Sequence, residues 1–385
     1  MTNLKHVFRA GVLAGAIPIA VGGALPVWAQ PAQPGEQAVQ PAATRAQALD
    51  QARERAVQLV LDASRSEDPR ERAAAIEAAG AVPGRALPMA QLALSDENAG
   101  VRFAALVTIG KLQLVGLGPA ALDLANDDNP SVRGAAVFAA QRCGEEVPAR
   151  QLSYLAQMLG SQDLSTRGNA AMLLGMLGDR SAIPMLEEMA RTPMPRAEAA
   201  DRIWLHLQFA EAILKLNPDD ERVLEVVRTS VFSSVDDVRI LALRIVGTID
   251  DKSMIGALES LAAGQHPLQL RVAASRSLAE MDSDLGQRVL MRGARYTPDD
   301  LRQDSASFLR ANGRANTQEA VLMRRVMEDA ELCAAITADI RAQSAFGLGE
   351  LDDAASARVL VGLLDDDHAI VKLAAAAAVL QALAE

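Results

Sequence analysis

Ten copies of one short pattern constrain this chain more than any other feature. A basic residue is followed, three and four positions on, by small or apolar residues. It stands at Arg72, Arg102, Arg133, Arg167, Arg239, Arg271, Arg302, Arg341 and Lys372, with His206 in the equivalent place of one further copy. The intervals run from 30 to 39 residues. A period of this size marks a two-helix unit that cannot bury its apolar face alone and must stack on copies of itself.

The stretch from Asp163 to Met189 shows the unit most plainly. Ala170, Ala171, Leu173, Leu174 and Leu177 recur at helical spacing. Gly178 suits the left-handed residue that ends a helix, and Asp179 can accept the free N–H groups that open the next. Ile183, Leu186 and Met189 then form a second apolar stripe.

Columns counted from the basic anchor carry physical meaning. Alanine recurs three residues on, and Ile, Leu or Val seven residues on. Eight residues on stand Gly80, Gly110, Gly175, Gly247 and Gly349. Glycine inside a helix costs roughly 0.5–1 kcal/mol relative to alanine. Repeating it in one register predicts close approach of a neighbouring helix there. Pro88, Pro119 and Pro184 fall near the starts of first helices, where a missing N–H is tolerated. Alternating strand patterns of useful length are absent. The spacing therefore predicts an all-α solenoid of about ten two-helix repeats over residues 45–385.

Two segments precede the array. Residues 1–29 read as a signal peptide: Lys5, His6 and Arg9, then an apolar run from Ala10 to Leu25, then Val27-Trp28-Ala29 as a cleavage site. The run is shorter than the ~20 residues a spanning helix needs. Neither cysteine follows it, which excludes a lipid-anchored cysteine. Residues 30–44, rich in Pro, Gln and Ala, read as a disordered spacer. Export, to the periplasm or the exterior of a bacterial envelope, is the expectation.

Asn129-Pro130-Ser131-Val132-Arg133-Gly134-Ala135-Ala136 and Val238-Arg239-Ile240-Leu241-Ala242-Leu243 resemble HEAT repeats. The short period is most similar to the HEAT-like variety of phycobilisome-lyase-related proteins. The resemblance covers nearly all of the chain after Arg45. It implies stacked helix pairs, and it occurs in scaffolds, adaptors and a few enzymes. The tetratricopeptide and ankyrin signatures are missing. Two intervals of 39 residues, one holding 192–201 and one holding 316–339, are expected to be insertions on one face.

Chemistry is sparse. The net charge is −11, and removal of Lys5 and Arg9 makes it more acidic, which argues against nucleic acid. His206, His266 and His368 have no metal-ligand spacing. No nucleophile, metalloprotease or phosphate-loop motif is present. The acidic runs Asp127-Asp128, Asp219-Asp220, Asp236-Asp237, Asp299-Asp300 and Asp365-Asp366-Asp367 suit helix N-termini better than calcium. They also allow an Asp–Arg ladder between adjacent repeats. Cys143 and Cys333 lie six repeats apart, so no disulfide within the chain is expected.

A partner surface is expected five residues after each anchor. Val107, Phe138 and Met172 hold that column in successive repeats, with Phe346 later; Glu77, Glu211, Arg244 and Arg276 hold it elsewhere. The reading is a non-enzymatic scaffold or adaptor for a protein or peptide, with no cofactor and no metal. Its rivals are a bilin lyase-like enzyme, implied by the resemblance alone, and a self-associating structural protein of the envelope.

Overall fold

The computed structural model describes residues 42–382, apart from 83, 195–197, 265, 313–317 and 352. Residues 1–41, which hold the expected signal peptide and most of the expected spacer, lie outside the described residues. Among the described residues are twenty α-helices and no strand. The chain opens with α1 (Ala42–Ala63) and α2 (Pro69–Ala78), then α3 (Ala86–Ala93) and α4 (Ala99–Leu112), α5 (Gly118–Asp123) and α6 (Pro130–Arg142), α7 (Ala149–Leu159) and α8 (Leu164–Leu177), α9 (Ile183–Arg191) and α10 (Ala199–Leu216). It continues with α11 (Glu221–Ser230) and α12 (Asp236–Thr248), α13 (Ile255–Ala263) and α14 (Leu268–Glu280), α15 (Gln287–Gly293) and α16 (Pro298–Asn312), α17 (Gln318–Glu328) and α18 (Ala330–Gly349), α19 (Ala354–Leu363) and α20 (Ala369–Ala382). The protein is an all-α solenoid of HEAT-like helix pairs. Helix α1 takes in residues 42–44, read above as spacer.

The second helices stack on one another: α2 on α4, α4 on α6, and so on through α14. Polar residues ahead of each helix set its start. Asp68, Asn98, Asn129 and Asp163 each accept a backbone N–H of the first turn of α2, α4, α6 and α8. The anchor arginines then tie the turns together. The Nε of Arg72 donates to Asp96 at 2.7 Å, that of Arg102 to Asp127 at 2.8 Å and that of Arg341 to Asp366 at 2.8 Å, each in the following turn. Each of these aspartates also accepts the backbone N–H two residues on, from Asn98, Asn129 and His368. The acidic turns thus serve both helix starts and contacts between repeats.

Other anchors find other partners. Arg133 donates to the carbonyls of Asp127 and Asp128 and lies over the Tyr154 ring. Arg167 reaches the Met189 carbonyl and lies over Phe209. Arg239 and Arg271 donate to the carbonyls of Val231 and Ala262. Lys372 is half-buried on α20. Arg302 departs from the ladder: it pairs with Asp299 within its own helix.

The glycine column marks helix–helix approach. A Cβ on Gly175 would stand 2.9 Å from the Cα of Ala212; on Gly247, 3.0 Å from that of Ser277; on Gly349, 3.1 Å from that of Ala378. At Gly110 the space is taken by the Phe138 ring, and at Gly80 by the Leu112 side chain. Each partner belongs to the second helix of the following repeat.

Two features depart from a uniform line. Helix α14 packs directly on α18, while α16 and α17 pack chiefly on each other. The copy anchored by Arg302 therefore stands aside from the inner stack. Helix α16, PDDLRQDSASFLRAN, is too polar to be buried between two neighbours: Leu301 and Ser305 are its buried side chains. The second feature is closure. Helix α20 packs on α18, on α1 and on α2. Ala52, Ala56 and Val60 form the buried stripe of α1, and residues 371–380 of α20 include an unbroken buried run from Leu373 to Leu380. Arg55 pairs with Asp365 across the seam. The array bends until its last repeat meets its first, and the solenoid is a ring.

Candidate partner-binding surfaces

Closure decides what the column five residues after each anchor can do. The inner helices pack side by side, so part of each is covered by its neighbours in the stack. Phe138 is fully buried, its ring filling the space beside Gly110. The expectation that Phe138 faces outward to a partner is corrected: its ring packs on Gly110 of the preceding second helix, inside the core between repeats. Val107 and Met172 are half-buried and pack against the same core.

The rest of the column is charged and largely self-satisfied. Glu211 accepts Nζ of Lys215 at 2.9 Å and Nη2 of Arg244 at 2.6 Å. Burial alone would raise its pKa, but these two cations overcome it and hold the carboxyl down to about 2. Arg276 pairs with Glu280 at 2.9 Å and lies 5.1 Å from the centre of the Phe346 ring. Glu77 is the exception. Its Oε2 is buried with no hydrogen-bond partner. Burial pushes its carboxyl up to about 8, and Lys111 opposes this only in part. Burial lowers the Lys111 ammonium in turn, with Glu77 acting against it. The interior is therefore a packed, partly charged core rather than an open groove.

Exposed apolar side chains lie elsewhere. Leu87 on α3 and Val115 ahead of α5 are 42% and 62% exposed. The Leu87 methyl reaches the turn at Gly116, beside Val115. A second concavity, of about 360 Å³, lies where α15 gives way to α16. Arg288, Met291, Arg292, Arg295, Tyr296 and Asp300 line it. Its signal in the sequence is three arginines at spacings of four and three, in a chain whose acidic balance masks them. Among the described residues no group of His, Cys, Asp and Glu could hold a metal ion, and no helix is long and apolar enough to cross a membrane. Cys143 and Cys333 are both buried as free thiols.

A sequence model of HEAT repeats matches residues 118–201. No curated protein matches the chain. Among solved structures, the complex of CpcE and CpcF of phycocyanin lyase from Nostoc sp. PCC7120 is 17% identical, with 63% of this chain and 93% of that chain covered and a TM-score of 0.35. Human deoxyhypusine hydroxylase in complex with glycerol is 14% identical, with 89% of this chain and 100% of that chain covered and a TM-score of 0.34. Likeness at this level carries no argument about activity. Residues 118–201 thus match HEAT repeats, and helix pairs of the same kind stack along the rest of the described chain.

Proposed function

We propose that this protein is an exported, non-enzymatic adaptor that binds a protein or peptide on its outer surface. The observation behind this reading is the exposure of Leu87 and Val115, with the Leu87 methyl beside Gly116, the next residue after Val115. Exposed apolar side chains that adjoin one another favour a covering partner. HEAT repeats support the scaffold class, because their rigid stacked helices offer a long surface. The basic start, apolar run and Val27-Trp28-Ala29 support export.

The test is a pull-down from the envelope fraction with the chain lacking residues 1–29, run beside its Val115→Asp variant. One enriched protein lost by the variant supports the adaptor and its site. Enrichment retained by the variant removes Val115 from the site. No enrichment, with light scattering that rises with concentration, replaces the adaptor by a self-associating protein. Sequencing of the exported N-terminus checks the cleavage: Gln30 is expected first.

A further inference from the structure

The cleft between α15 and α16 combines a fixed floor with free cations. The floor is Tyr296, which is 2% exposed. Its hydroxyl donates to Asp304 at 2.7 Å, and its carbonyl accepts from Nη1 of Arg341 at 3.1 Å. Arg341 is itself held by Asp366, so the floor is tied into the anchor ladder. Asp300, the one acid among the lining residues, accepts from the backbone N–H and the hydroxyl of Thr297. Both bonds fall on Oδ2 and help to start α16.

The rim is different. The side chains of Arg288 and Arg295 are exposed and make no hydrogen bond or ion pair among the described residues. Arg292 has one long contact, 3.4 Å to Asp304, whose other role is to hold Tyr296. Arg271 lies close behind; burial lowers its pKa and the charge of Arg292 lowers it further. Three guanidinium groups therefore converge on one cleft with few counter-charges. In a chain of net charge −11 such a cluster is against the average.

We propose that this cleft binds a multiply charged oxyanion of the phosphate class, held by the guanidinium groups of Arg288, Arg292 and Arg295 over the Tyr296 floor. Guanidinium is planar and offers paired donors that match the oxygens of phosphate. Arg288 and Arg292 are one helical turn apart on α15, so both project over the same mouth. The cleft volume falls at the small end of ligand sites, which suits a phosphate group rather than a large organic body. The floor needs no rearrangement, which keeps the ordering cost of binding low. This inference stands apart from the adaptor reading: the cleft is remote in sequence from Leu87 and Val115, and neither result decides the other.

The experiment is thermal melting of the folded chain, residues 30–385, titrated with sodium phosphate at constant ionic strength. Two variants accompany it, Arg288→Gln with Arg295→Gln, and Arg222→Gln as a remote exposed control. The expected result is a saturable rise in melting temperature for the unmodified chain and the control. The double variant should melt normally without phosphate and bind it at least roughly tenfold more weakly, since each lost charge-assisted contact is strong. A phosphoserine peptide distinguishes the source: tighter binding than free phosphate supports a phosphate carried on a polymer, equal binding supports the free ion. A rise that the double variant shares in full, or that sodium chloride reproduces, or the absence of any saturable rise, overturns the proposal. Should the double variant melt poorly, Arg288→Lys with Arg295→Lys keeps the charge and loses the fork. It should retain the fold and still weaken binding; unchanged affinity counts against fork recognition and overturns the assignment.

Discussion

Arg55 and Asp365 stand 310 residues apart in sequence, yet they pair guanidinium to carboxylate in space. The pair lies on the seam where α1 meets α20. It is exposed on both sides, so solvent and salt screen it. The seam is held instead by the apolar stripe of α1. Arg55→Ala is therefore expected to leave the melting temperature almost unchanged. Ala56→Asp, which buries an unpaired charge at a fully enclosed position, is expected to lower it by many degrees. Circular dichroism melts of the two variants check the contrast.

Glycine substitutions should change sign with position. Gly175→Ala places a Cβ 2.9 Å from the backbone of Ala212, where no side chain can swing aside. Overpacking of this kind costs about 1–3 kcal/mol, more than the roughly 1 kcal/mol that alanine gains in helix propensity. Gly256 lies on α13 with nothing within 4 Å of such a Cβ. Gly256→Ala should therefore stabilise by roughly 0.5–1 kcal/mol. Urea unfolding of both variants measures the pair of effects.

Two interior carboxyls should tilt the pH profile in opposite directions. Glu211 lies near 2 in the folded chain, against an ordinary 4.5. The unfolded chain takes up the proton more readily, so this contribution is complete above the ordinary value and is lost as pH falls from 4.5 toward 2. Glu77 lies near 8, against the same ordinary 4.5. The folded chain keeps that proton, so stability is greatest below 4.5 and declines as pH rises toward 8. Glu77→Gln should remove the decline, and its gain in melting temperature should be larger at pH 8 than at pH 5. An equal gain at both values would contradict the shift.

Substitution should separate the buried Phe138 from the exposed Val115. Phe138→Ala, at a fully buried ring, should cost about 3–5 kcal/mol. Val115→Asp, at an exposed position, should stay within about 0.5 kcal/mol of the unmodified chain. Chemical denaturation distinguishes them directly.

The repeat unit and its glycine column are legible in sequence because both are local. Gly175 and Gly247 sit a fixed count after Arg167 and Arg239, and helical geometry converts that count into a face. Ring closure is not local. It accumulates from a small rotation at each repeat, and no single residue encodes it. The outward phase expected at Phe138 fails for a different reason: the ring fills space that Gly110 leaves on the preceding second helix, a pairing between repeats that neither residue shows alone. Arg302 carries the anchor pattern, yet the helix around it lacks the apolar residues to be enclosed. The arginines of the cleft were lost in an acidic average, and their convergence depends on how α16 leaves the stack.

The seam between α20 and α1 also changes what an end means for this chain. An open array has two terminal units with one neighbour each, and they fray first and need special outer faces. Here the inner stack runs from α2 back to α20, which packs on α2, so no inner helix lacks a neighbour at the ends of the chain. The two ends of the array lie side by side, the arrangement in which circular permutation is tolerated. A chain rejoined across the seam and cut at another inter-repeat turn would keep every one of these helix contacts, so the order of the repeats, more than where the chain starts, specifies the structure.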